Sequence, residues 1–186
     1  MPDSETAVPS GPSEFGRWLF ATRNAKNISV PDLADKSGVS IPQIYNIESG
    51  RSQNPQDKTR LKLTNALGEE PTHQIVTNTE NAATIESVGE FIDFDPHDET
   101  DLPVVAGVYA LYDISERPVY VGQSMNIRDR IMHDHVSRFW FRAPVVQNAA
   151  YLKIEDETLR KKIEKIMIRF LKSNAVINKQ YVDRER

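Results

Sequence analysis

Tyr109 and Tyr120 fall in two strand-forming runs, 107–112 and 119–121, and a glycine turn after the second leads into Arg128, Arg130, His133 and His135. Further on, Glu164 stands beside Ile163 and one turn from Met167 and Ile168, while Lys161, Lys165, Arg169 and Lys172 climb another face at steps of 4, 4 and 3. Basic side chains in this pattern suit phosphate contacts, and a lone half-buried glutamate among cations suits a hard metal ion that takes oxygen ligands. The same residues also fit quieter roles. Sheet tyrosines often fill a core or surface, a lysine ladder is often a wet helix face, and Glu164 has Arg160 and Lys161 within pairing distance on a helix.

These residues need a particular scaffold. The runs at 107–112 and 119–121 predict an antiparallel pair joined by a short connector at 113–118. Gly122-Gln123-Ser124 breaks the second strand, and Asn126 caps a helix from Ile127 to about His135. A third strand is expected over 149–154, then a helix over about 157–172 with apolar residues at 159, 163, 166, 167 and 170 on one face. The expected fold of 103–186 is a small α+β domain with a three-stranded antiparallel sheet.

Upstream, 1–12 is rich in Pro and Ser and reads as flexible, while 13–68 reads as an all-α bundle. A helix is expected from Glu14 to about Asn24, and Ser29 with Asp32 forms a capping box for a second helix that Gly38 ends. Ser40 and Gln43 repeat the box, and Ile41, Ile44 and Ile47 give the next helix a buried stripe. Two helices about so short a turn match a helix-turn-helix unit, whose second helix faces the major groove. Gln43, Tyr45, Asn46 and Ser49 lie off the stripe, with Arg51 just beyond, and are the expected DNA contacts; Gln and Asn can pair with adenine through two hydrogen bonds. Asn54-Pro55 opens a further helix carrying Leu61, Leu63, Ala66 and Leu67, closed by Gly68.

Between these modules the charge changes abruptly. The 186 residues carry 23 basic and 27 acidic side chains, net −4, yet 69–102 alone holds 10 acidic and no basic residues. That stretch is expected to be an acidic linker, either one repelled from nucleic acid between two DNA-facing modules or simply a solvated connector, with short apolar groups able to dock on a neighbour. Cysteine is absent, which excludes disulfides, thiolate nucleophiles and cysteine-ligated metals. No apolar run approaches the 18 residues of a membrane span, and the opening MPDSETAVPSGPSEF lacks the regions of a signal peptide. A cytoplasmic, nucleoid-associated protein with no membrane partner is expected.

Two resemblances sharpen these expectations. Residues 27–68, NISVPDLADKSGVSIPQIYNIESGRSQNPQDKTRLKLTNALG, resemble the Cro/C1-type, phage-repressor-like helix-turn-helix family, with Val30 where that family commonly has a phosphate-binding Gln. GVY at 107–109, YVG at 120–122, QSMNIRDRI at 123–131, EKIMIRF on the later helix and Asn178 are together similar to the GIY-YIG nuclease family over about 105–179. The second resemblance implies metal-dependent hydrolysis of a DNA phosphodiester. Glu164 would hold one Mg²⁺ or Mn²⁺, Arg130 would grip the phosphate, Tyr109 would orient or deprotonate the attacking water, and Tyr120 would support it. His133 or His135 would assist, Asn178 would pin the chain near the site, and Arg128, Lys161 and Lys165 would contact DNA. The sequence departs from the family in having Gln123 where many relatives carry Lys, and in the longer step from Glu164 to Asn178. The joint expectation is a DNA endonuclease guided by its helix-turn-helix to double-stranded DNA, of restriction, mobile-element or defence type, with dimerisation allowing both strands to be cut. Its competitors are a helix-turn-helix transcriptional regulator with an inactive GIY-YIG-like domain and a structure-specific repair nuclease.

Overall fold

The computed structural model describes residues 11–85, 88–143 and 145–171; Lys172 and Asn178 lie outside them, as does most of 1–12. The chain is a mixed α+β protein that opens with five helices: α1 (Glu14–Ala25), α2 (Val30–Ser37), α3 (Ile41–Ser49), α4 (Asp57–Leu67) and α5 (His73–Ala83). Ser29 and Asp32 cap α2 reciprocally, Asp32 N donating to Ser29 Oγ at 3.2 Å and Ser29 N to Asp32 Oδ2 at 3.3 Å. Gly38 closes α2 at φ 68°, a left-handed conformation that a side chain would strain. Ser40 accepts Gln43 N at 3.3 Å, but the Gln43 side chain turns away to Asp101, so the second expected box is only half formed. α4 begins at Asp57 and not at Asn54-Pro55, because Asn54 is bonded through its backbone and its amide to residues 90–93.

Phe15, Leu19, Leu33, Ile44, Ile47 and Leu63 are fully buried in one apolar core, with Ile75 of α5 packed against it. Burying each such side chain contributes about 1.5–3 kcal/mol. Ile41 and Leu61 were expected in this core and are instead 40% and 60% exposed. Ile41 sits one turn beyond the core edge, and Leu61 is two positions from Leu63, on the outer face of α4.

The acidic stretch carries α5 and two strands, β1 (Thr84–Ile85) and β2 (Gly89–Phe94). With β3 (Gly107–Tyr112), β4 (Pro118–Ser124) and β5 (Asn148–Lys153) they form one antiparallel sheet in the order β1-β2-β5-β3-β4. Five strands replace the expected three because Phe91 to Phe94 pair with Leu152 to Ala149 of β5. Phe94 is buried there, so the few apolar residues among the acids suffice to place a strand.

Alternation along β3 divides the sheet's two faces. Tyr109 and Leu111 join Phe94, Ile127, Ile131 and Phe141 on one side, under α6 (Ile127–Arg130) and the π-helical turn that continues it (Ile131–His135). Val108 and Ala110 pack with Val121, Leu152 and Ile168 on the other, under α7 (Glu157–Leu171). The buried face of α7 is rotated from the expected stripe: Ile168 is buried with Ile163 and Met167 against it, while Leu159, Ile166 and Phe170 are exposed. Arg160 fixes this rotation, since its Nη1 donates to the carbonyls of Ile154 and Glu155 at 3.0 and 2.7 Å.

Candidate active site and DNA-facing surface

β3 and β4 place Tyr109 directly across from Gly122. A Cβ at residue 122 would stand 2.7 Å from both Tyr109 Oη and Tyr120 Cε1, so only glycine admits the two phenols side by side. Their ring centroids are 6.0 Å apart. Tyr109 Oη lies 2.6 Å from His135 Nε2, and Tyr120 meets His135 edge-on at 4.7 Å and stacks on Trp140 at 5.3 Å. Arg130, exposed at the end of α6, pairs with Asp134 and reaches the hydroxyls of Tyr120 and Tyr109 by side-chain hydrogen bonds. Arg130 and Glu164 line the same open cleft of about 400 Å³, together with Gln123, Arg160 and Lys161.

The charges in this cluster are unequal. Burial pushes the Tyr109 phenol well above its ordinary value, with Tyr120 adding to the rise, so Tyr109 keeps its proton at neutral pH. Burial, followed by the Arg130 charge, pushes His135 down to about 4. With His135 neutral in its Nδ1-protonated tautomer, the Tyr109 hydroxyl donates to Nε2. Burial opposes the Arg130 charge, but Tyr120, Tyr109 and Asp134 outweigh it and raise its pKa. Burial also raises the Glu164 carboxyl, against the Gln123 backbone and Arg130, which favour its anion.

One histidine belongs to this cluster. His133 is exposed, with Nδ1 at 2.8 Å from the Asp129 carbonyl, whereas His135 is buried among the aromatic rings. The steps of four from Ile127 through Ile131 to His135 form an apolar stripe that separates the two histidines in the sequence itself. Arg160, expected only as a pairing partner of Glu164, belongs to the cleft. It is 1% exposed, and its Nε donates to Gln123 Oε1 at 3.4 Å. Its signal was its place four residues before Glu164, one turn along the same helix face.

Among the described residues, no group of three or more His, Asp or Glu side chains gathers to hold a metal ion. Glu157 also lines the cleft, where it pairs with Lys161 at 2.5 Å. Glu164 is half-buried, and its raised pKa marks a carboxylate whose charge a cation would stabilise. Mg²⁺ commonly takes one or two carboxylates and fills its remaining positions with water and phosphate oxygens. The donor set fits an ion of that kind.

The helix-turn-helix surface departs from expectation. Tyr45, Ser49 and Arg51 are exposed, Arg51 lying 3.5 Å from Glu116 of the β3–β4 turn. Gln43 and Asn46, the expected base-reading amides, are each only 6% exposed. Gln43 Nε2 donates to Asp101 Oδ2 at 2.8 Å, and the chain following β2 lies over this part of α3. Arg128 in turn pairs with Glu99 at 2.6 Å. Lys161 and Lys165 are exposed on α7.

A family model described as helix-turn-helix matches residues 19–74 and supports a DNA-binding domain of the Cro/C1 type at the amino-terminal end. No nuclease family model matches the carboxy-terminal sheet. No curated protein matches the chain. Among the described residues, no helix is long and apolar enough to cross a membrane.

Proposed function

We propose that the protein is a DNA-binding helix-turn-helix protein whose carboxy-terminal cleft hydrolyses DNA phosphodiesters with the help of a divalent metal ion. The observation that carries this reading is the position of Arg130, which bonds to Tyr120 and Tyr109, the latter against His135, and which lines one open cleft together with Glu164. Arg130, fixed by Tyr120 and Asp134, grips a nonbridging phosphate oxygen with its donor fork. Tyr109 holds the attacking water, takes its proton and passes its own to His135, whose neutral form prevails above about pH 4. The water oxygen forms the new P–O bond as the leaving oxygen departs with the electron pair of the old one. Mg²⁺ or Mn²⁺ held by Glu164 would neutralise charge on the phosphate and the leaving oxygen. Tyr120 braces Arg130 and the water. A second copy of the chain would supply a second site for the opposite strand.

The helix-turn-helix match taken alone favours a second reading, a transcriptional regulator with an inactive carboxy-terminal domain. Incubation with supercoiled and branched DNA, in Mg²⁺, Mn²⁺ or chelator, separates the two. Metal-dependent nicking lost in Glu164→Ala and Arg130→Ala supports hydrolysis, and binding without nicking supports the regulator. Cleavage confined to branches assigns the site to repair.

A further inference from the structure

Part of the expected DNA-facing surface of the helix-turn-helix, at Ser40 and Gln43, is bonded by a segment of the same chain, while Tyr45, Ser49 and Arg51 stay exposed. Asp95 Oδ2 accepts from Ser40 Oγ at 2.6 Å, at the amino-terminal cap of α3. Asp101 is 1% exposed and accepts from Gln43 Nε2 at 2.8 Å, Thr59 Oγ1 at 2.7 Å and Gln56 Nε2 at 3.1 Å. Lys58 and Lys62 reach Thr100 at 2.8 and 3.0 Å. Glu99 of the same segment holds Arg128 of the carboxy-terminal module. The groups satisfied by these acids are a helix-capping hydroxyl, amides, a threonine and lysines, the donor types that otherwise bind phosphate oxygens and base edges. We propose that residues 95–101 occupy part of the surface where duplex DNA would lie, and that DNA reaches Ser40, Gln43 and Asn46 of this surface only by displacing them. The inference rests on DNA binding by the helix-turn-helix.

Two features make displacement feasible. The contact with 95–101 is polar, and the apolar cores of the two modules share no residue, as in interfaces that open and close. The seam is also imperfectly satisfied: Asn148 Oδ1, in the crevice it shares with Gln43, Asn46 and Asp95, is buried with no hydrogen-bond partner among the described residues. Such an orphaned acceptor costs about 1–3 kcal/mol and is relieved when water enters. Each acid that leaves exposes donors that a phosphate then satisfies, so the loss on opening is offset by DNA.

The chain lacks cysteine, which makes the closed state easy to lock. Ser40→Cys with Asp95→Cys replaces two side chains in contact with a reversible disulfide. The probe is a short duplex selected from a random-sequence pool by the reduced double-cysteine protein, without metal. Oxidation is expected to weaken binding about tenfold or more, within the usual range for coupled states, and reduction restores it. Asp95→Asn with Asp101→Asn, which removes charge but keeps shape, is expected to tighten binding about tenfold by the same coupling. Binding that ignores both changes overturns the proposal while leaving the helix-turn-helix reading intact. A reduced protein that enriches no duplex overturns both.

Discussion

The two modules of this chain present opposite combinations of sequence identity and surface. The amino-terminal helices match a family model and follow its sequence pattern, yet both amides expected to read bases, Gln43 and Asn46, are buried, Gln43 against Asp101, 58 residues away. The carboxy-terminal sheet matches no family model, yet it sets two phenols and an imidazole beside Arg130, which shares an open cleft with Glu164. A sequence pattern encodes a backbone through short-range periodicity and caps, while function depends on which side chains remain accessible after distant segments pack. On the proposed reading, the more recognisable module is the one whose surface must still change, and the less recognisable one would need only its substrate and ion.

Four perturbations sharpen or break this contrast. Arg130→Ala removes the phosphate grip and should lower plasmid cleavage by about 10³-fold, in line with deletion of a principal charge-stabilising donor, while duplex binding by α3 is unchanged; equal losses of both would erase the distinction between modules. Ile44→Ala opens a cavity in the helical core and should cost about 2–5 kcal/mol in denaturant unfolding, leaving the imidazole resonances of His135 in place. His135→Phe should lower cleavage by about 10²-fold through loss of the proton acceptor, against a change within about twofold for His133→Phe. The smallest effect is Ser29→Ala, about 1 kcal/mol of thermal stability in the amino-terminal module alone.

Proton linkage gives the contrast a pH signature. His135 falls from 6.5 to about 4 on folding, so the folded protein binds fewer protons than the unfolded chain between those values. Its contribution to stability is present above about 6.5 and is lost as pH falls through 4. Asp93, on β2 against Asn54, is pushed by burial from 3.8 up to about 6, and its contribution has the opposite sign, being lost as pH rises through 6. Relative to wild type, His135→Phe should gain stability as pH falls from 6.5 to 4. Asp93→Asn should gain stability as pH rises from 4 to 6. Unfolding midpoints across that range test both, and matching slopes would refute one of the two burial assignments.

Much of the backbone was legible from neighbouring residues. The Ser29–Asp32 cap, the Gly38 stop, the β3–β4 pair and the helix after Asn126 all rest on signals a few positions apart. The five-stranded sheet was not, because β2 is a short apolar run hidden among ten acids and its partner lies about 60 residues on. The burial of Gln43 and Asn46 was equally hidden, since a polar contact between modules leaves no period in either segment. In α7 the apolar count pointed to the wrong face because a buried arginine, paired with carbonyls, outweighed Leu159 and Phe170. The residues of the candidate site stand out by spacing and resemblance, but which histidine lies beside Tyr109 is set by the packing of the π-helical turn, which spacing does not show.

The central claim is that Glu164 and Arg130 share one hydrolytic cleft, and conversion of supercoiled plasmid to open-circle DNA tests it most directly. The account predicts nicking by the wild-type protein with Mg²⁺ or Mn²⁺, none with chelator, and none from a folded Glu164→Gln protein under the same conditions. Nicking that persists in Glu164→Gln, or a wild-type protein that binds the plasmid and leaves it supercoiled with either metal, would contradict it.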